Sequence, residues 1–203
     1  MALKRAMWPH VNMLVYLNTL LVYLDFLTRQ LPFVISAIGV LWAIHCINSL
    51  LGKRLAFFGI IPRRLSHLPG IVLCPFIHKD FEHLISNSIP LFFLMNAVLF
   101  FGTPLLLQTT LFIVVSSGTL IWLFGRPGIH IGASALVMGY FGFIIASACI
   151  IKAPIVIITA VLCFFYLSGL LVGLLPIQAN ASWEGHLFGF SSGILYAMLY
   201  FRT

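Results

Sequence analysis

Apolar residues fall into runs of membrane length along this chain, broken by short polar stretches, and the earliest run also shows a polar face. In residues 11–29, Leu14, Leu17, Leu21 and Leu24 recur at three- and four-residue intervals, while Asn18, Asp25 and Arg29 fall elsewhere on the wheel. That pattern predicts an amphipathic helix lying in the membrane interface, with a tilted extra span as the alternative. The first clear span is predicted at residues 32–51. Residues 52–77 mix basic residues with Phe57, Phe58, Ile60, Ile61, Ile71 and Val72, which predicts a long loop partly in the bilayer surface. Further spans are predicted at 81–101, 105–124, from near Gly132 to before Lys152, at 154–175 and at 185–201, each close to the ~20 residues a bilayer requires. The expected fold is an all-α membrane protein: an N-terminal interfacial segment, residues 1–31, and a six-helix membrane domain, residues 32–203.

Alternating spans place the second, fourth and sixth in the same direction. Each carries polar residues near its start: His83 and Asn87, then Ser134, then His186. Three helices thus bring polar side chains to one depth on one face. Small residues predict how they meet, because helices in lipid associate closely where side chains are short. Gly185, Gly189 and Gly193 form a ridge beside His186, and Ala135, Gly139, Gly142 and Ala146 share a face of the fourth span.

Composition narrows the class. Of 203 residues, 62% are hydrophobic and only 7% charged, against about a quarter charged in a soluble domain. The net charge of +7 suits anionic lipid headgroups; nucleic acid is not an expected partner, because the basic residues are scattered between apolar runs. Cys46, Cys149 and Cys163 lie in apolar runs and Cys74 in a loop, so they are expected as free, small apolar residues rather than a disulfide framework. Lys4 and Arg5 resemble the start of a signal peptide, but Asn12, Asn18 and Asp25 interrupt the apolar run behind them, and no cleavable signal peptide is expected. Loop charges leave the orientation open.

Polar residues in a span are costly and mark function or helix contacts. A serine hydroxyl becomes a nucleophile when a base takes its proton, and neutral His186 is the base on offer for Ser134. Glu184 stands two residues before His186 and on a helix points away from it, so a dyad is expected rather than a triad. An oxyanion needs donors where its charge develops; His83 and Asn87, four residues apart on one helical face, and the Ser134 N–H are the candidates. His78 extends the cluster. The alternatives are a serine bonded to its own helix, an interfacial histidine, and a His83–Asn87 pair that only holds helices together. No metal or other cofactor is expected, since the chain has no HExxH motif and no close group of His with Asp or Glu on one helix.

The residues Phe76-Ile77-His78-Lys79-Asp80-Phe81-Glu82-His83-Leu84-Ile85-Ser86-Asn87, Gly132-Ala133-Ser134-Ala135 and Gly185-His186-Leu187-Phe188-Gly189 with Gly193, in this order and on alternate spans, resemble the rhomboid family of intramembrane serine proteases. The resemblance covers roughly residues 55 to 201. It implies a six-helix core with a water-filled cavity open to the extracytoplasmic side, Ser134 as nucleophile, His186 as base, and His83 and Asn87 in the oxyanion hole. Gly132, Ala135, Met138, Gly185 and Gly189 would support the site, as would His78. Substrates would be single-span membrane proteins cut in or near their transmembrane segments, and the location a bacterial cytoplasmic membrane. Three departures stand out. Ala135 replaces a glycine, and its methyl is expected to loosen or shift a close helix contact. Met138 stands where the family often has an aromatic packed on the histidine. A Trp-Arg element of the first loop is missing, with Pro62-Arg63-Arg64 nearby. The rival readings are a catalytically silent rhomboid-like protein that binds transmembrane clients, and a small transporter, for which no internal repeat speaks.

Overall fold

Residues 2–50 form one unbroken helix, α1 (Ala2–Leu50), in a computed structural model that describes residues 2–167, 169 and 182–202. The predicted interfacial helix and first span are therefore a single element. No glycine separates them, and Pro32 loses one backbone bond without ending the helix, a loss that neighbouring groups in membrane helices can offset. Its apolar second part, Thr28–Leu50, is long enough to cross a membrane.

The predicted first loop contains short pieces. Three 3₁₀ turns (Arg54–Phe58, Leu65–His67, Cys74–Phe76) surround a single-turn helix, α2 (Gly70–Leu73). Exposed Phe57, Phe58 and Leu65 fit the expectation of a loop resting in the bilayer surface. Four longer helices come next: α3 (Phe81–Leu99), α4 (Thr103–Phe124), α5 (Ser134–Ile151) and α6 (Pro154–Leu167). The last is α7 (Trp183–Arg202). These bounds match the predicted spans to within a few residues; the predicted end of the fifth span, beyond Gly169, lies outside the described residues. The described residues hold no strand, and sheet-like pairing is confined to one antiparallel bridge, Ile60 with His130.

By length and composition three described helices can cross a membrane: Thr28–Leu50, Thr103–Phe124 and Ser134–Ile151. α3 and α7 fall short of that apolarity because they carry the polar residues of interest, including Asn87 and Asn96 in one and Glu184 and His186 in the other. The apolar surface fits a lipid solvent. Leu107, Leu111 and Val115, four apart, are all exposed along one side of α4.

α5 is the central helix. Eleven of its residues are buried, and α7 lies along it in the same direction, Gly189 against Ala135 and Gly193 against Gly139. These are backbone contacts. A Cβ on Gly193 would sit 2.8 Å from the Phe143 nitrogen, and one on Gly189 would lie 2.9 Å from the Ala135 Cα. Gly142 meets α7 at Phe190 and Gly139 meets it at Gly193, while a Cβ on Gly139 would also strike Ile113 of α4. α3 also runs parallel to α5, its first turn at Gly132 and its far end at Phe143 through Phe101. α1 is tied to α3 by Trp42 Nε1 donating to Ser88 Oγ at 3.1 Å. The four cysteines are free, but Cys46 and Cys149 are exposed on the outer surface while Cys74 and Cys163 are buried.

Candidate active site

The first turns of α3, α5 and α7 come together at one end of the bundle. α3 starts at Asp80, whose extended backbone and Oδ1, accepting from the His83 N–H at 2.8 Å, make it an N-cap. That bond holds the Asp80 carboxyl below its ordinary range, helped by Lys79 and the His83 side chain. His78 lies just ahead of the cap, almost fully buried, with Nε2 accepting from the Ala133 N–H at 3.4 Å. Its ring is edge-on to His83, centroids 5.2 Å apart.

The segment leading into α5 is shaped by Gly132. Its φ of +113° is a region side chains avoid, and a Cβ would fall 2.5 Å from His83 Cε1 and 2.7 Å from Nε2. Glycine is therefore required twice at this position, once by conformation and once by the ring lying on it. The Gly132 N–H donates to the Cys74 carbonyl at 2.9 Å, which anchors the turn to the first loop. Ser134 is then the first residue of α5, with no side-chain cap on this terminus. The N–H groups at a helix start have no intrahelical acceptor, so they remain as donors for an anion.

His186 occupies the first turn of α7 and is half-buried, as is Ser134. Gly189, one turn further along the same face, meets the backbone of Ala135, the residue after Ser134. Ser134 and His186 thus stand at the same end of the closest helix contact in the bundle. The His83 ring lies against Gly132, two residues before Ser134, so it shares this end of the bundle. The other expected residues are placed around them. Asn87 is buried and donates its amide to the His83 carbonyl at 2.7 Å, leaving one amide hydrogen. Met138 is fully buried in the main core, four residues and one turn below Ser134. Gly185 donates its N–H to Ser182 Oγ at 3.2 Å. Ala135 meets α7 through its backbone, at Gly189, and its side chain packs with the cluster of Ile60, Cys74 and Ile121, which Phe188 of α7 also joins.

Several residues here were not expected from sequence. His45 of α1 is buried, stacks edge-on to Phe81 at 4.5 Å and acts on both His78 and His83; an isolated histidine in an apolar run was the available signal. Arg63, with φ +61°, donates to the Leu123 and Gly125 carbonyls at 3.1 Å each, so the loop without a Trp-Arg element is still tied to α4. Glu184 binds Arg126. Cys74 is no rival nucleophile, since burial pushes its thiol up to about 12.

Burial, then the neighbouring His83 and His45, push the His78 imidazole down to about 4 from the ordinary 6.5. The unfolded chain therefore takes up a proton at a higher pH than the folded one. His78 contributes stability that is complete above 6.5 and is lost as pH falls toward 4. The melting temperature in detergent is expected to drop over that window, and less steeply in His78→Asn, which retains an acceptor for Ala133. Equal slopes in the two proteins contradict the assignment.

A family model described as Rhomboid domain matches residues 63–203. The chain is 29% identical over 175 residues to "Uncharacterized protein Rv1337" of Mycobacterium tuberculosis (strain ATCC 25618 / H37Rv), covering 82% of this chain and 73% of that one. It is equally identical over 175 residues to "Uncharacterized protein ML1171" of Mycobacterium leprae (strain TN), covering 82% of this chain and 69% of the other.

Proposed function

The chain belongs to the rhomboid family and is an integral membrane protein, and we propose that it is a serine endopeptidase that hydrolyses peptide bonds in or near the transmembrane segments of other membrane proteins. The observation that carries the reading is the Ala135–Gly189 backbone contact between α5 and α7, beside which Ser134 and His186 each stand in the first turn of their helix. In this mechanism His186 takes the Ser134 proton as Oγ bonds to the scissile carbonyl carbon. The oxyanion formed is held by the Ser134 N–H, the remaining Asn87 amide hydrogen and the His83 ring. Collapse expels the amine, which leaves with the proton from His186, and the acyl group stays as an ester on Ser134. Water, deprotonated by His186, then attacks that ester, and the carboxyl product leaves as Ser134 recovers its proton.

The architecture proposed with it is six spans, α3 and α7 included, with the continuous α1 favouring a tilted membrane helix over a separate interfacial segment at residues 1–31. The membrane is a bacterial cytoplasmic one, consistent with the mycobacterial relatives. Single-span membrane proteins are the proposed substrates; a cavity of about 670 Å³ between α3 and α6, lined by Phe93, Asn96, Thr159 and Leu162 among others, lies farther along α3 than His83 and Asn87. Labelling by a serine-directed fluorophosphonate in detergent tests the reading. The native protein should be labelled and Ser134→Ala not; equal labelling of both, or of neither, overturns it.

A second reading, a silent protein that binds transmembrane clients, draws on the Asn87 bond to its own helix, which is what a purely structural asparagine makes. Turnover separates the two. In a protease Asn87→Ala lowers kcat by roughly 10²–10³ with a smaller effect on KM, because the oxyanion exists only in the transition state. Normal kcat with a lower melting temperature assigns Asn87 to helix packing.

A further inference from the structure

We propose that Arg126 and Glu184 are positioning residues for His186, through a clasp that the loop between α4 and α5 closes on the first turn of α7. The proposal rests on the protease reading above, because it takes His186 to be the base. Glu184 is an anomaly in a membrane helix: a carboxylate only 3% exposed, one of four in the chain, two residues before His186. It is reached by a residue 58 positions away. Arg126 binds it through Nε to Oε1 and through Nη2 to Oε2 at 3.2 Å, a two-pronged geometry that fixes orientation as well as distance. The same guanidinium lies 5.9 Å from the Trp183 ring centroid.

A second connection joins the same two segments. His130 Nδ1 is 2.7 Å from Ser182 Oγ, and His130 Nε2 is 2.9 Å from the Arg126 carbonyl. Ser182 Oγ accepts from the Gly185 N–H, and the Ser182 carbonyl from the His186 N–H at 3.3 Å. Only one polarity satisfies the chain with a neutral imidazole. Gly185 donates to Ser182, Ser182 donates to His130 Nδ1, and His130 Nε2–H donates to the Arg126 carbonyl. The loop thus holds α7 at Ser182 and at Glu184, on both sides of the bend into the helix.

The position of these contacts gives them their role. Helix ends fray unless their first N–H groups find partners, and in the first turn of α7 Ser182 supplies them for Gly185 and His186. One turn further in, Gly189 is seated on Ala135 and sets the distance between α7 and α5. Nothing in that glycine contact fixes the rotation of the turn before it. The Arg126–Glu184 clasp does so from the outer side, leaving His186 bracketed between two fixed points.

Activity per site and the state of the imidazole test this. End-point fluorophosphonate labelling counts competent sites, and kcat is referred to that count. Arg126→Ala should lower kcat per site at least tenfold with KM within twofold, since it leaves Glu184 buried and charged with only backbone N–H groups to bind it. Arg126→Ala with Glu184→Gln should be several-fold more active than Arg126→Ala alone, because the uncompensated charge is gone. Arg126→Lys, which retains the charge and loses the two-pronged grip, should fall between native and Arg126→Ala. In parallel, the His186 ring signal in a ¹⁵N-histidine-labelled sample, assigned by its loss in His186→Ala, should shift or broaden in Arg126→Ala and in Arg126→Lys. Unchanged kcat per site, a loss accounted for by fewer labelled sites, a double variant no better than the single, or an unmoved His186 signal each overturns the proposal. A native protein that neither labels nor cleaves, with a His186 signal that still moves in Arg126→Lys, overturns the protease reading and leaves the clasp in place.

Discussion

Ser134→Ala and His186→Ala are each expected to abolish cleavage of a transmembrane reporter while the helical bundle stays folded. The reason is chemical. Alanine at 134 leaves no oxygen to acylate, and alanine at 186 leaves a serine hydroxyl with no acceptor for its proton. Both side chains are half-buried at helix starts, so truncation opens no cavity in the central core, and alanine is a good helix former. Because the pair acts as a unit, the double variant should be scarcely slower than either single one. Reporter cleavage, with melting temperature as the control for folding, checks this. Activity retained in Ser134→Ala shows that another nucleophile operates; a double variant much slower than both singles shows that the two do not act on one step.

The second large effect is expected at Gly189, where α7 touches α5 backbone to backbone. Gly189→Ala places a methyl against the Ala135 carbonyl group and within 2.9 Å of its Cα. No rotamer change relieves a clash with main chain, so the helices must separate. Overpacking of this kind typically costs ~1–3 kcal/mol, and the separation matters more than the energy, since a misplacement of about 1 Å can reduce rate on the order of 10²-fold. Gly189→Ala should therefore lose most activity while a large part of the protein still folds, and Gly189→Val should lose both. Ala135 presents its backbone to Gly189 and packs its side chain with the Ile60–Cys74–Ile121 cluster, so Ala135→Gly should leave the contact intact and activity close to native. Reporter kinetics with melting curves on the three variants decide it. A Gly189→Ala protein as active as the native one shows that the site does not depend on this contact.

Much of the architecture was legible in the chain because a bilayer allows few choices. A span needs about 20 apolar residues, so α4 and α5 could be located by composition alone. Polar residues inside such runs are costly, which is why Ser134, His186, His83 and Asn87 stood out and why their shared depth could be inferred from alternation.

Tertiary structure decided the contacts that no local period encodes. Helical spacing shows that Gly139 and Gly142 lie near one face, but only the paths of α4 and α7 assign Ile113 to the first and Phe190 to the second. Arg126 meets Glu184 and His130 meets Ser182 across more than fifty residues, pairings that arise because the turn after α4 and the start of α7 reach the same end of the bundle. By itself, the sequence determined which residues must be buried in lipid-length helices and which polar ones stand at a common depth, because solvation acts on each residue separately. Which of those residues touch was decided only by the fold, because contact depends on how whole helices are arranged.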